Sequence, residues 1–213
     1  MFLKELIDFD RPRTIKKKWN DDKFAKGRNE MGSGQTTRAF HSKTPGMVDR
    51  LMYVKGLDDP YLQFLRLIQK HQDNPYFPKV TNGKLYKTEH KAPDGSDVYR
   101  VLMQMEKLLP LKDPRIINMM DKKMRELGVL DKEHLSRAWL KILFKDKYDK
   151  LVSDSPDRQF RDALRLLKPY IMKYGNDLHH KNIMVRPSSK GLQPVLMDPI
   201  VPHYFHPPFE ELG

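Results

Sequence analysis

The stretch NDLHHKNIMV, Asn176 to Val185, is followed closely by PVLMDP, Pro194 to Pro199, and together they carry the strongest structural signal in this chain. Asp177 and Asn182 lie in a polar turn before an apolar strand, and Asp198 comes directly after the next strand. The RPSSKGLQ between the strands is typical of a hairpin loop. Because a hairpin returns the chain to its starting point, we expect Asn182 and Asp198 to lie close together.

Two kinds of site fit this pattern, a histidine metal site and a phosphate-handling site. His179 and His180 are adjacent, so their side chains point in different directions, and no third ligand follows at a suitable spacing. Phosphoryl transfer needs a carboxylate that orients the attacking hydroxyl, and it needs oxygen ligands for Mg²⁺. We therefore predict that Asp177 is the catalytic residue, and that Asn182 and Asp198 bind Mg²⁺ against the phosphates of a nucleotide.

A glycine-containing turn in the first half of the chain is a second candidate for phosphate binding. In GSGQTTRAF the glycines let the backbone approach a ligand without interference from a Cβ atom. Thr37 stands where a full G-x-G-x-x-G would have its third glycine, so a plain turn between strands is the alternative. The candidate phosphate-contacting residues of this turn are Gly32, Ser33, Gly34, Gln35, Thr36 and Thr37.

These motifs, in this order, resemble those of known kinases. DLHHKN and VLMDP are similar to the catalytic and metal-binding segments of the protein-kinase-like superfamily, including the D-L-H-x-x-N form of aminoglycoside-phosphotransferase-like kinases. More specifically, GSGQTTRAF, NDLHHKNIMV and VLMDPI resemble the early serine/threonine protein kinases of T7-like phages. Those kinases also replace the third glycine with a small hydroxyl residue and have Asp-Pro in place of Asp-Phe-Gly. The likeness extends loosely from Met31 to Pro202.

The resemblance implies a phage-type serine/threonine protein kinase that uses ATP and Mg²⁺. It also implies a two-lobed fold and host proteins as substrates, in transcription, RNA processing or translation, with RNA polymerase and RNA-processing enzymes as candidate targets. The carried-over roles are catalytic for Asp177, metal-binding for Asn182 and Asp198, and phosphate-binding for the glycine turn. Such a protein is expected in the cytoplasm of the host.

Two features depart from the kinase pattern. A kinase carries a lysine on its third strand that holds the α- and β-phosphates and pairs with a glutamate on the following helix. In RLMYVKG the central strand position is Tyr53, so Lys55 is the candidate only if a bulge corrects the register. The predicted helix 57–72 contains no glutamate. Glu106, at the exit of the strand VLMQMEKL, is a further candidate for nucleotide binding.

Two other functions are open, the first because of these departures and the second because of the D-L-H-x-x-N form. One is a catalytically weak, pseudokinase-like binding protein that inhibits a host polymerase, a nuclease or a partner associated with nucleic acid. The other is a small-molecule kinase, which the short region after Asp198 disfavours because it leaves little room for a substrate pocket.

The composition favours acidic partners and argues against a membrane protein. The 213 residues include 40 Lys and Arg against 28 Asp and Glu, a formal charge of +12. Such an excess attracts nucleic acids, nucleotides or acidic protein surfaces. No apolar run approaches the ~20 residues that a membrane helix needs, and MFLKELIDFD does not predict a signal peptide. The chain has no cysteine, which agrees with a cytoplasmic location.

The pattern along the chain predicts an α+β fold in three parts. Residues 1–30 are expected to form a basic arm, either solvated or used for docking. Residues 31–105 are expected to form a lobe with an antiparallel sheet and one helix. Residues 106–213 are expected to form a reduced helical lobe that contains the catalytic hairpin.

Apolar spacing and turn residues predict the individual elements. The first lobe is expected to contain a helix capped by Asp58 or Asp59 and a hairpin that turns at Pro93-Asp94-Gly95. Three further helices are expected over 113–128, 131–152 and 155–175. Pro169 is expected to kink or break the last of them.

Overall fold

The computed structural model describes residues 8–14, 28–33, 37–129, 145–178, 182–189 and 191–200. Within these residues the protein is mixed α+β, with nine strands and four helices. The strands are β1 (Asp8–Thr14), β2 (Glu30–Ser33), β3 (Thr37–His41), β4 (Met47–Lys55), β5 (Val80–Lys91), β6 (Asp97–Glu106), β7 (Leu109–Pro110), β8 (Ile183–Ser188) and β9 (Gly191–Leu196). The helices are α1 (Pro60–Lys70), α2 (Pro114–Glu126), α3 (Lys145–Asp154) and α4 (Arg158–Tyr174).

The chain divides into two compact units. Unit 1 comprises Met1–Gln69, Lys79–Lys107 and Pro202–Gly213, and unit 2 comprises Lys70–Pro78 and Leu108–Val201. The short segment that follows α1 therefore belongs to unit 2, although the rest of α1 before it and strand β5 after it belong to unit 1. None of the described helices is both long and apolar enough to cross a membrane.

Unit 1 contains a six-stranded sheet in the order β1-β5-β6-β4-β3-β2. The pairs from β5 to β2 are antiparallel, but β1 runs parallel to β5, so the sheet is mixed. The prediction of an antiparallel sheet is therefore wrong at β1, whose residues lie inside the expected basic arm. Phe9 explains why β1 forms there, because its side chain is fully buried and Arg66 of α1 donates to its carbonyl oxygen at 2.9 Å.

Helix α1 and the hairpin β5–β6 confirm two predictions in unit 1. Asp59 caps the helix, since its Oδ1 accepts the Tyr61 amide at 2.9 Å and its Oδ2 accepts the Lys55 amide at 3.0 Å. The hairpin turns at the predicted tripeptide, where Gly95 has a φ of +82°, a conformation that favours glycine. Strand β4 is buried from Leu51 to Val54, as expected for a strand covered on both faces.

Unit 2 contains α2, α3 and α4 with a three-stranded sheet in the order β7-β8-β9. The helices predicted over 113–128 and 155–175 are confirmed, and the predicted helix 131–152 falls partly outside the described residues. Helix α4 continues through Pro169 without a break. Pro169 is exposed, and the ends of the helix are fixed by an Asp157 cap and by Gly175, whose amide donates to the Ile171 carbonyl at 2.9 Å.

Candidate functional site

Asp177 lies in the turn that follows α4. The helix ends at Gly175, which has a φ of +99°, and the Oδ1 of Asn176 then accepts the Leu178 amide at 3.0 Å. This local hydrogen bond is typical of a tight Asn turn. The segment after β9 holds the same turn from outside, because Asn176 forms an antiparallel bridge with Ile200 and the Asp177 amide donates to the Pro199 carbonyl at 3.1 Å.

The hairpin β8–β9 brings Asn182 beside Asp198. Strand β8 begins at Ile183, which pairs with Leu196 of β9. The Met197 amide donates to the Asn182 carbonyl at 2.8 Å. The hydrogen bonding between β8 and β9 therefore continues for one more residue on each strand. Asn182 and Asp198 are therefore the residues that flank the open end of the hairpin.

The Asn182 side chain joins the three predicted residues into one arrangement, here called the clamp (Asp177, Asn182 and Asp198). Its Nδ2 lies 2.9 Å from each of three oxygens: the Asp177 carbonyl, the Asp177 Oδ2 and the Asp198 carbonyl. These acceptors set the orientation of the amide, because only its nitrogen can donate. The Oδ1 of Asn182 must then point away from them, and it accepts no hydrogen bond within the described residues.

The donor set of the clamp fits Mg²⁺ better than a softer metal. Mg²⁺ prefers carboxylate and amide oxygens and keeps several of its waters, so two protein ligands suffice. Asn182 and Asp198 offer one amide oxygen and one carboxylate, and both residues are half-buried. In the described ranges no group of three or more His, Cys, Asp or Glu could hold a metal. His179 and His180 lie outside those ranges.

The glycine turn is described only at its two ends. Gly32 and Ser33 belong to β2 and Thr37 belongs to β3, whereas Gly34, Gln35 and Thr36 lie outside the described residues. A Cβ atom built on Gly32, which is exposed, would meet no atom of the described residues within 4 Å. The packing of the described part of unit 1 therefore does not require glycine at this position.

Lys55 and Glu106 both have partners within unit 1. The Nζ of Lys55 lies 2.5 Å from Oδ2 of Asp94, in the turn of the β5–β6 hairpin. Hydrogen bonds from the side chains of Lys55 and Ser96 hold the pKa of Asp94 well below its usual range. The Oε1 of Glu106 accepts the Lys79 amide at 2.6 Å, so this carboxylate fixes the backbone at the start of β5.

Arg50 is a cation that sequence reasoning missed. Its Nη1 donates to the Tyr61 hydroxyl of α1 at 2.8 Å and lies 3.5 Å from the sulfur of Met105, the residue before Glu106. Side chains alternate between the faces of a strand, and the β4 register is continuous. Arg50 therefore lies on the face towards α1, whereas Lys55 lies on the opposite face. The alternation of side chains along β4 could have indicated Arg50, because it places Arg50 on the face opposite to Lys55. The kinase pattern has a lysine on this strand, so Arg50 was not predicted.

Comparisons with known proteins add no assignment to this geometry. No protein-family model matches the chain, and no curated protein matches it. The clamp and the two units are therefore the features that bear on the chemistry of the site.

Proposed function

We propose that this protein is a protein-kinase-like phosphotransferase that transfers the γ-phosphate of ATP to Ser or Thr hydroxyls of host proteins. The observation that carries the proposal is the hydrogen bonding of Asn182. One amide group ties the Asp177 carboxylate to the Asp198 backbone and directs its own oxygen away from both. A base beside two hard oxygen ligands is the arrangement that phosphoryl transfer requires.

Each residue of the clamp has one role in this proposal. Asp177 orients the attacking hydroxyl and accepts its proton, and the hydrogen bond from Asn182 to its Oδ2 holds the carboxylate in place. Asn182 Oδ1 and the Asp198 carboxylate would hold Mg²⁺, which neutralises charge on the nucleotide phosphates when it is bound. The Asn182 amide therefore orients the base and a metal ligand at the same time.

The architecture supports a two-lobed, kinase-like fold. Unit 1 combines a sheet with one helix, and unit 2 combines helices with a hairpin that carries the clamp. We assign phosphate binding to the turn from Gly32 to Thr37, because Gly32 is exposed and its backbone can approach a ligand without interference from a Cβ atom. We assign the strand cation to Arg50, because it faces the helix that follows its strand, while Lys55 is bound to Asp94.

The test is phosphate transfer by an Asp177→Asn variant. An asparagine oxygen at position 177 can still accept the hydrogen bond from Asn182, so the clamp should keep its shape while the base is lost. We expect labelling from radioactive ATP, with casein and a bacterial lysate as acceptors, to fall about 100-fold or more. Circular dichroism and thermal unfolding check the fold. Unchanged labelling by a folded Asp177→Asn variant would refute the assignment.

A second candidate is a basic binding protein on the same scaffold. The charge of +12, the absence of an acidic residue from α1 and the ion pair between Lys55 and Asp94 favour it. Such a protein would inhibit a host polymerase, a nuclease or a nucleic-acid-associated partner without chemistry. It predicts that binding to an acidic partner survives the substitution of both Asp177 and Asp198, whereas no phosphate is transferred.

A further inference from the structure

The segment Asn74–Phe77, here called the connector, follows α1 and packs within unit 2. Tyr76 and Phe77 are fully buried, and Asn74 is 9% exposed. A buried loop has backbone groups that water cannot reach, so each of them needs a partner in the protein. Some of these partners are local, such as the Asn74 side chain, which accepts the Tyr76 amide at 2.9 Å. The partners outside the segment described below come from the hairpin β8–β9 and the first turn of α4.

Arg186 of β8 is the main link between the connector and the hairpin. Its Nη1 donates to the Pro75 carbonyl at 2.6 Å, and its Nη2 donates to the Phe77 carbonyl at 2.9 Å. Strand β9 adds a backbone bond, because the Leu196 amide donates to the Tyr76 carbonyl at 2.8 Å. Three consecutive carbonyls of the connector are therefore bound by the strands that end at the clamp.

Tyr76 and Asn74 link the connector to α4. The Tyr76 hydroxyl donates to Oδ2 of Asp157 at 2.7 Å, while Oδ1 of the same carboxylate caps the helix by accepting the Phe160 amide at 3.0 Å. The Nδ2 of Asn74 donates to the Gln159 carbonyl at 3.0 Å. Burial, followed by the hydrogen bond to Asp157, raises the pKa of the Tyr76 phenol above its ordinary value. The phenol therefore stays a neutral donor at physiological pH.

The connector thus joins the elements that carry the clamp. Helix α4 leads into the turn with Asp177, β8 begins directly after Asn182, and β9 ends two residues before Asp198. We propose that Arg186 is a positioning residue for the metal ligands of the clamp, which it acts on through the connector. This inference rests on the proposed function, because it takes Asn182 and Asp198 to be the Mg²⁺ ligands.

Arginine suits this role because its planar group donates in two directions at once. Methionine at position 186 would keep much of the length but leave the Pro75 and Phe77 carbonyls without this donor. Lysine would keep the charge, but its single nitrogen is not shaped to bind two carbonyls together. The hairpin is expected to shift relative to α4 in both variants, and more in Arg186→Met.

The experiment measures binding of Mn²⁺, as a paramagnetic substitute for Mg²⁺, by electron paramagnetic resonance in the presence of ATP. Partners that orient metal ligands typically change metal affinity 10- to 100-fold, so Arg186→Met should weaken Mn²⁺ binding about tenfold and Arg186→Lys less. Met124→Ala is the matched control, because it removes a buried side chain of α2 in the same unit. It should lower the melting temperature and leave Mn²⁺ affinity unchanged.

The outcomes separate this inference from the proposed function. If a folded Arg186→Met variant binds Mn²⁺ with wild-type affinity while Asp198→Asn binds it weakly, the role of Arg186 is overturned. The proposed metal site is not affected by that result. Wild-type affinity in Asp198→Asn would overturn the metal site and the proposed function with it. If Arg186→Met does not fold, the same comparison is made with Arg186→Lys, and an affinity equal to that of the wild type would again overturn the inference.

Discussion

Arg50 and Lys55 are the two cations of β4, and their surroundings differ in a way that bears on phosphate binding. The guanidinium of Arg50 donates to the Tyr61 hydroxyl and lies 5.7 Å from the centre of the Tyr61 ring, among its other interactions. The ammonium of Lys55 is bound to the carboxylate of Asp94. A phosphate would have to compete with that carboxylate for Lys55. Arg50 also offers the forked geometry that matches phosphate oxygens.

The residue-scale prediction is that Arg50→Met weakens Mg-ATP binding and Lys55→Met does not. A hydrogen bond to a charged group contributes roughly 1.5–3 kcal/mol, which corresponds to about a 10- to 100-fold loss of affinity. Isothermal titration calorimetry with Mg-ATP measures the effect. Tyr61→Phe is the control, because it removes the hydroxyl bound to Arg50 and keeps the ring and the cation. A large loss in Lys55→Met with normal binding in Arg50→Met would contradict the assignment.

The residues that could be predicted from sequence are those whose partners are close in sequence. Asp177 and Asn182 share one turn, and a single hairpin separates Asn182 from Asp198, so local spacing was enough. The role of Arg186 could not be predicted from local spacing, because its partner Pro75 is 111 residues away in sequence. Arg50 was missed because its role depends on which face of β4 packs against α1.

At the scale of elements, the signals that succeeded were apolar spacing and turn residues. Helix α1 and the β5–β6 hairpin have both, whereas β1 has the sequence DFDRPRT, with Phe9 as its one large apolar residue. No alternation can be read from a single apolar side chain, so its parallel pairing with β5 was not predicted. Of the predicted kink or break at Pro169, the break does not occur, because the rest of α4 provides a long apolar face and caps at both ends.

The element-scale prediction concerns acid and the β5–β6 hairpin. Hydrogen bonds from Lys87 and Lys91 lower the pKa of Asp97 to about 2. A lowered pKa in the folded state means that the ionised carboxylate stabilises the fold above its unfolded pKa, ~3.9, and that this contribution is lost as the pH falls towards 2. Asp97→Asn should therefore lower the urea midpoint at pH 5, and its difference from the wild type should shrink at lower pH.

The effect should be small, because both lysines are exposed and Asp97 is only half-buried, and salt screens such pairs. Asp73→Asn is the control, since Asp73 is exposed and has no ion pair in the described part of the chain. An Asp97→Asn midpoint that differs from the wild type equally at pH 5 and pH 2.5 would show that the ion pairs do not contribute. Addition of 0.5 M salt at pH 5 should reduce the difference as well.

At the scale of the whole molecule, the net positive charge and the clamp favour different kinds of ligand. The excess of 40 basic over 28 acidic residues attracts any polyanion, and this attraction is long-ranged and sensitive to salt. The clamp instead needs a ligand that brings phosphates together with a divalent ion. A phosphotransferase and a basic binding protein can therefore be distinguished by which ligand stabilises the fold, and at which ionic strength.

The last prediction is that Mg-ATP stabilises the wild-type protein and that the effect depends on Asp198. A ligand present at ~100 times its dissociation constant stabilises the folded state by roughly 2.7 kcal/mol, which thermal unfolding detects as a higher melting temperature. The shift should require Mg²⁺, disappear in Asp198→Asn and persist at 0.3 M salt, because the bound metal is held by direct ligands. Heparin, as a matched polyanion without the nucleotide, should stabilise both proteins equally and lose its effect at that salt concentration. Stabilisation by heparin alone, with no response to saturating Mg-ATP, would contradict the phosphotransferase and favour the binding protein.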